Sequence, residues 1–106
     1  MYANVRQYRI SADKIDETMH LADPELADRL ADEPGFVAYE LMATDDGTVC
    51  SMTIFDDRDG AERSQQIAAE FVRDHLSGIE IDNLGSMTGE LMVSRAREQV
   101  LQPAHH

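Results

Sequence analysis

The sequence predicts an α+β domain of order β-α-β-β-α-β, in which a four-stranded antiparallel sheet carries two helices on one face. Three observations predict it. Two segments place apolar residues at helical spacing, and four segments rich in Tyr, Val, Ile and Met read as strands. Asp45-Asp46-Gly47 between the middle two strands is a turn of the kind that joins antiparallel neighbours. With a helix linking strands one and two and another linking three and four, right-handed crossovers put both helices on the same side.

Tyr2 to Ile10 is the first strand, free of turn residues. It carries two arginines, so the N-terminus reads as a strand and not as a signal peptide. Ser11 and Asp13 open the first helix, whose stripe is Ile15, Met19, Ala22, Leu26 and Leu30. Pro24 interrupts that stripe without changing its phase, which predicts one kinked helix. Pro34-Gly35 ends it. Phe36 to Thr44 and Thr48 to Phe55 follow as strands two and three.

Asp59 to Leu76 is the second helix. Glu62, Arg63, Gln66, Glu70 and Arg73 gather on one side, and Ser64, Ile67, Ala68, Phe71, Val72 and His75 on the other. Asp57 or Asp59 can cap its first amides, and Gly78 follows its end. His75 falls near the middle of the apolar face, alongside the small residues Ala61, Ser64 and Ala68. Small side chains there either let the helix sit close to the sheet or leave a pocket. Gly78 to Gly85 reads as a connection, and Ser86 to Ser94 as the last strand with Met87, Gly89, Leu91 and Val93 on one face. One domain over 1–94 and a polar tail over 95–106 complete the chain.

Helices on one face should leave the other polar, yet the strands read as apolar on both. Strand two offers Phe36, Ala38 and Met42 against Val37, Tyr39 and Leu41. Strand three offers Val49 and Phe55 against Cys50, Met52 and Ile54. A second copy is the economical cover, so a two-fold homodimer with sheets face to face is expected.

Of the 106 residues, 21 are acidic and 9 basic, for a net charge of −12. Phosphate binding needs clustered Lys and Arg, and Lys14 is the only lysine; nucleic acid is excluded. No apolar run approaches the roughly 18 residues of a membrane span, and the reading is a soluble cytoplasmic protein with no membrane partner. Cys50 is the only cysteine, which excludes an internal disulfide and any multi-cysteine metal site. Asp56, Asp57 and Asp59 need no metal as a turn with a helix cap.

The opening YANVRQYRI, PGFVAYEL after the first helix, the block DDGTVCSMTIFDDRDGAERSQQIAAEFVRDHL and the closing SMTGELMVS resemble the antibiotic biosynthesis monooxygenase-like group of dimeric α/β barrels. The likeness spans Met1 to about Ser94 and implies a dimeric ferredoxin-like fold. The group resembles cofactor-free oxygenases of polyketide quinols, haem-degrading oxygenases, and small proteins without assigned activity. Fold alone does not choose among them. Haem-degrading members are similar in placing an asparagine on the first strand, here Asn4, and a tryptophan and histidine on the second helix, here Phe71 and His75. The cofactor-free likeness implies Asn4, Arg6, Tyr8 and Tyr39 around a dry pocket between sheet and helices.

That likeness implies a chemistry in which an electron-rich substrate does most of the work. His75 is the candidate base, its ordinary pKa lying near ~6.5, and Asn4 the candidate donor to a developing anion. The structural alternative for His75 is a buried histidine satisfied by a carbonyl or a tyrosine. Arg6, Tyr8, Tyr39, Ser64, Ala68 and Phe71 are the candidate substrate contacts. The expected function is cofactor-independent monooxygenation of an aromatic or quinol-like substrate, with no metal. The alternatives are a non-catalytic ligand-binding or dimerisation module, and haem binding or breakdown with Phe71 in the indole's place.

Overall fold

A computed structural model describes residues 1–95. Strand β1 (Tyr2–Ile10) leads through a short 3₁₀ turn (Ala12–Lys14) into helix α1 (Ile15–Ala22). A π turn (Asp23–Ala27) and helix α2 (Asp28–Ala31) follow α1 without a break, so the three form one helical arm. Pro24 stands at the start of the π turn, where its missing N–H breaks the regular ladder and the wider turn absorbs it. Strands β2 (Phe36–Ala43) and β3 (Thr48–Phe55), helix α3 (Arg58–His75) and strand β4 (Ile81–Glu90) complete the order.

The sheet runs β2-β3-β1-β4, with every neighbouring pair antiparallel. This is the split β-α-β, ferredoxin-like arrangement. Gly47 closes the β2–β3 turn at φ 90°, and a Cβ there would lie 2.3 Å from the Ile10 carbonyl oxygen. Asp57 caps α3 by accepting a hydrogen bond from the Gly60 N–H at 2.7 Å. Gly60 itself lets α3 start against β3, since a Cβ would meet the Phe55 ring at 2.5 Å.

Leu26 and Leu30 of the arm pack on Ile67, Ala68, Phe71 and Leu76, with Phe36, Tyr39, Leu41 and Ile81 beneath. Fully burying Phe55 or Leu30 stabilises the fold by roughly 1.5–3 kcal/mol each. Arg29 of the arm pairs with Glu70, and Glu33 just past the arm pairs with Arg63 at 3.5 Å, so both hold to α3 across the surface.

Pairing settles which side chains share the helical face. Asn4, Arg6 and Tyr8 lie beside Thr53, Ser51 and Val49 of β3. Tyr39 and Leu41 join the same rows from β2, and Thr88 and Ser86 from β4.

Two sequence expectations need correction. A bulge at Val37 shifts the register between Phe36 and Ala38, so Phe36 faces the helices with Tyr39 and Leu41. Strand β4 begins at Ile81 and ends at Glu90, because β1 pairs it from Ile10↔Ile81 to Tyr2↔Glu90. Leu91 and Val93 therefore lie past the strand. The tail read from residue 95 falls, apart from Arg95, outside the described residues.

The opposite sheet face carries no helix among the described residues. Met52 and Met87 flank Val5 there on the two neighbouring strands, and Met87 is 70% exposed.

Candidate functional site

Beneath α3 lies a polar spine centred on Arg6, which is 2% exposed. Its Nη1 donates to Asn4 Oδ1 at 2.7 Å and to the Ser64 carbonyl of α3 at 3.1 Å. Its Nε donates to Ser51 Oγ at 3.3 Å and its Nη2 to Thr53 Oγ1 at 3.2 Å. All four acceptors are neutral. Asn4, fully buried, is oriented from its other end, where Nδ2 donates to Thr88 Oγ1 at 2.8 Å and to the Met87 carbonyl and Gln65 Oε1 at 3.3 Å each.

Beside Arg6 opens an apolar cavity between sheet and helices, about 40 Å³ in volume. Arg6, Tyr8, Tyr39, Met19, Ala68 and Phe71 stand on its wall. That room suits a few waters, whereas an apolar cavity that takes a benzene needs roughly 150 Å³. A broad groove of about 960 Å³ between the arm and β2 shares Met19, Ala22, Tyr39 and Leu41 with it. The two hollows adjoin.

Arg6 is the only charged side chain on the cavity wall among the described residues. Burial lowers its pKa, against the pull of Tyr8 and Tyr39. Burial also raises Tyr8, with Arg6 opposing, and pushes Tyr39 up to about 12. An arginine in a protein keeps its proton. The two phenols are therefore hydrogen-bond donors at neutral pH, and Arg6 is a buried positive charge among neutral groups.

Of the expected substrate contacts, Arg6, Tyr8, Tyr39, Ala68 and Phe71 stand on this wall. Ser64 does not. It is fully buried behind Arg6, its hydroxyl donating to the Ala61 carbonyl at 2.6 Å. Asn4 is also off the wall and holds Arg6 in place.

The expected position of His75 is overturned. Its side chain is 39% exposed, its Nε2 lies 3.9 Å from a Glu25 carboxylate oxygen, and its ring tilts against Phe71 at 5.3 Å. The reason is local. His75 is the last residue of α3, and Leu76 leaves helical geometry to turn inward and complete the apolar stripe. The haem reading places this histidine beside the cavity, and it is not on the cavity wall.

Sequence reasoning missed Ser51 and Thr53. They share the β3 face with Val49 and Phe55, and two hydroxyls alternating with apolar residues opposite Asn4 and Arg6 were the available signal.

The model of the family described as antibiotic biosynthesis monooxygenase matches residues 1–69. No curated protein matches the chain in sequence. Among solved structures, the chain is similar to a dimeric ferredoxin-like protein from an uncultured marine organism, with a TM-score of 0.69 and 12% identity, covering 91% of this chain and 98% of that one. It is similar to a monooxygenase from the gene ActVA-Orf6 of Streptomyces coelicolor, in complex with nanaomycin D, with a TM-score of 0.66 and 13% identity over 92% of each chain. SnoaB, a cofactor-independent oxygenase from Streptomyces nogalater, has a TM-score of 0.62 and 14% identity, covering 88% of this chain and 94% of that one. At these identities the likeness to solved structures is one of fold.

Proposed function

The chain belongs to the antibiotic biosynthesis monooxygenase family, and on that premise we propose that it oxidises an aromatic, phenolic or quinol-like substrate with dioxygen, using no metal or organic cofactor. The observation that carries this reading is the buried arginine, Arg6, which lines an apolar cavity together with Tyr8 and Tyr39. The ring occupies the cavity and the adjoining groove. Its ionised oxygen lies against Arg6, with Tyr8 and Tyr39 donating to it.

In the reaction an arenolate gives electrons to dioxygen. One oxygen atom replaces a ring C–H as a carbonyl, the other leaves as water, and phenol plus O₂ becomes quinone plus water. Ala68 and Phe71 contact the ring, while Asn4 and Ser64 position Arg6. Two of the structural neighbours, a monooxygenase and a cofactor-independent oxygenase, support the same class of chemistry.

We also propose that the working form is a homodimer joined through the open sheet face. Exposed Met42, Met52 and Met87 support it, as does the dimeric description of the marine neighbour.

The test is oxygen uptake with 1,8-dihydroxyanthrone, read beside quinone absorbance. The expected result is enzyme-dependent uptake with one quinone formed per oxygen consumed. Uptake no faster than in buffer alone would overturn the oxygenase reading. It would leave a non-catalytic ligand-binding module, which one observation favours: apart from Arg6 and two tyrosines, the cavity wall holds no acid–base side chain among the described residues.

A further inference from the structure

Burying a charge among neutral dipoles is costly, and proteins generally pair such a charge with an opposite one. Arg6 is 2% exposed, and its partners are the Asn4 amide oxygen, the Ser51 and Thr53 hydroxyls and the Ser64 carbonyl. A guanidinium has five N–H donors. Four bonds use four of them, two on Nη1, one on Nε and one on Nη2. One Nη2 donor remains, on a side chain that stands on the cavity wall.

The neighbours also settle what cannot happen there. Tyr8 on β1 and Tyr39 on β2 are the titratable groups that face Arg6, and burial holds both phenols protonated. Ser51 and Thr53 of β3, Ser64 of α3, and Thr18 and Met19 of α1 are neutral. His20, Asp28 and Glu40 lie only on the outer groove. No carboxylate or imidazole stands on the cavity wall, among the described residues, to take a proton from a ligand.

We infer that the Arg6 cavity selects ligands that arrive with an ionised oxygen on an apolar body, an arenolate or an aryl carboxylate, and serves as their fixed counter-ion. The proton is lost to bulk water before entry. Ligand acidity, rather than a protein base, then sets which phenols bind at neutral pH. This rests on reading the cavity as the ligand site of the proposed function, but it needs no turnover.

The experiment titrates the wild-type protein with 4-nitrophenol, benzoate and the neutral 4-nitroanisole from pH 5 to 9. Affinity for 4-nitrophenol should rise with pH along the ligand's own ionisation curve, and the bound dye should keep phenolate absorbance below its free pKa. The anisole should bind roughly 10- to 100-fold more weakly than the phenolate. Preference between 4-nitrophenolate and benzoate assigns arenolate or carboxylate. Arg6→Gln should erase the anion preference, and Arg6→Lys, which keeps the charge, should retain part of it. The ligand comparison stands on the wild type alone should Arg6→Gln fail to fold.

Anisole binding as tightly as phenolate, or a pH-independent affinity for 4-nitrophenol, would overturn the inference. Anion binding without oxygen uptake supports it while removing the oxygenase reading. Oxygen uptake with neither anion bound does the reverse.

Discussion

The 2.7 Å hydrogen bond from Arg6 Nη1 to Asn4 Oδ1 joins two buried side chains that stand two residues apart on one face of β1. Asn4 can offer its oxygen only because its nitrogen is spent on Thr88, Met87 and Gln65. Strand β4 thus sets the orientation of an amide on β1, and that amide holds one end of the Arg6 guanidinium beneath α3.

Asn4→Ala should leave an Arg6 donor unpaired in the interior, at a cost of about 1–3 kcal/mol in urea unfolding. Asn4→Asp is the sharper change. A carboxylate there would neutralise Arg6 from behind, so 4-nitrophenolate should bind at least about tenfold more weakly. Unaltered phenolate affinity in Asn4→Asp would remove Arg6 from anion recognition.

Tyr39 should be visible in alkaline unfolding. Its folded pKa, about 12, lies above the ordinary 10.0 because burial disfavours the phenolate. Between those values the unfolded chain loses the proton and the folded chain keeps it, so stability is full below pH 10 and falls as pH rises toward 12. Tyr39→Phe should flatten that fall. An identical alkaline profile in the variant would place the phenol in water.

His75→Ala should leave phenolate affinity and any oxygen uptake unchanged, and shift stability by no more than about 0.5 kcal/mol. The reason is its half-exposed place beside Glu25, away from the cavity. A loss of uptake with folding intact would restore His75 to the chemistry.

Much of this arrangement was legible because a strand alternates strictly. Asn4, Arg6 and Tyr8 share a face whatever the register, and Tyr39 joins them once β2 pairs β3. What escaped depended on breaks in periodicity. The bulge at Val37 turned Phe36 to the other face, and the end of α3 let Leu76 replace His75 on the apolar stripe. Ser51 and Thr53 matter through contact with a guanidinium two strand positions wide, which a reading of β3 alone does not contain.

Met52→Lys should convert the proposed dimer to monomer by light scattering at micromolar concentration, since a lysine on the open sheet face would be desolvated against its copy. The cavity lies on the opposite face, so 4-nitrophenolate affinity should change less than the oligomeric state. A wild-type monomer would contradict the sheet-to-sheet interface directly.

The central claim is that the wall at Arg6 is where the ligand's oxygen sits, and a crystal structure of the protein soaked with 4-nitrophenol tests it most directly. The account predicts the phenolate oxygen within hydrogen-bond distance of Arg6 Nη2, between Tyr8 and Tyr39, with the ring reaching toward Met19 and the outer groove. A ring bound on the methionine face of the sheet, or in the groove with its oxygen in solvent, would contradict it.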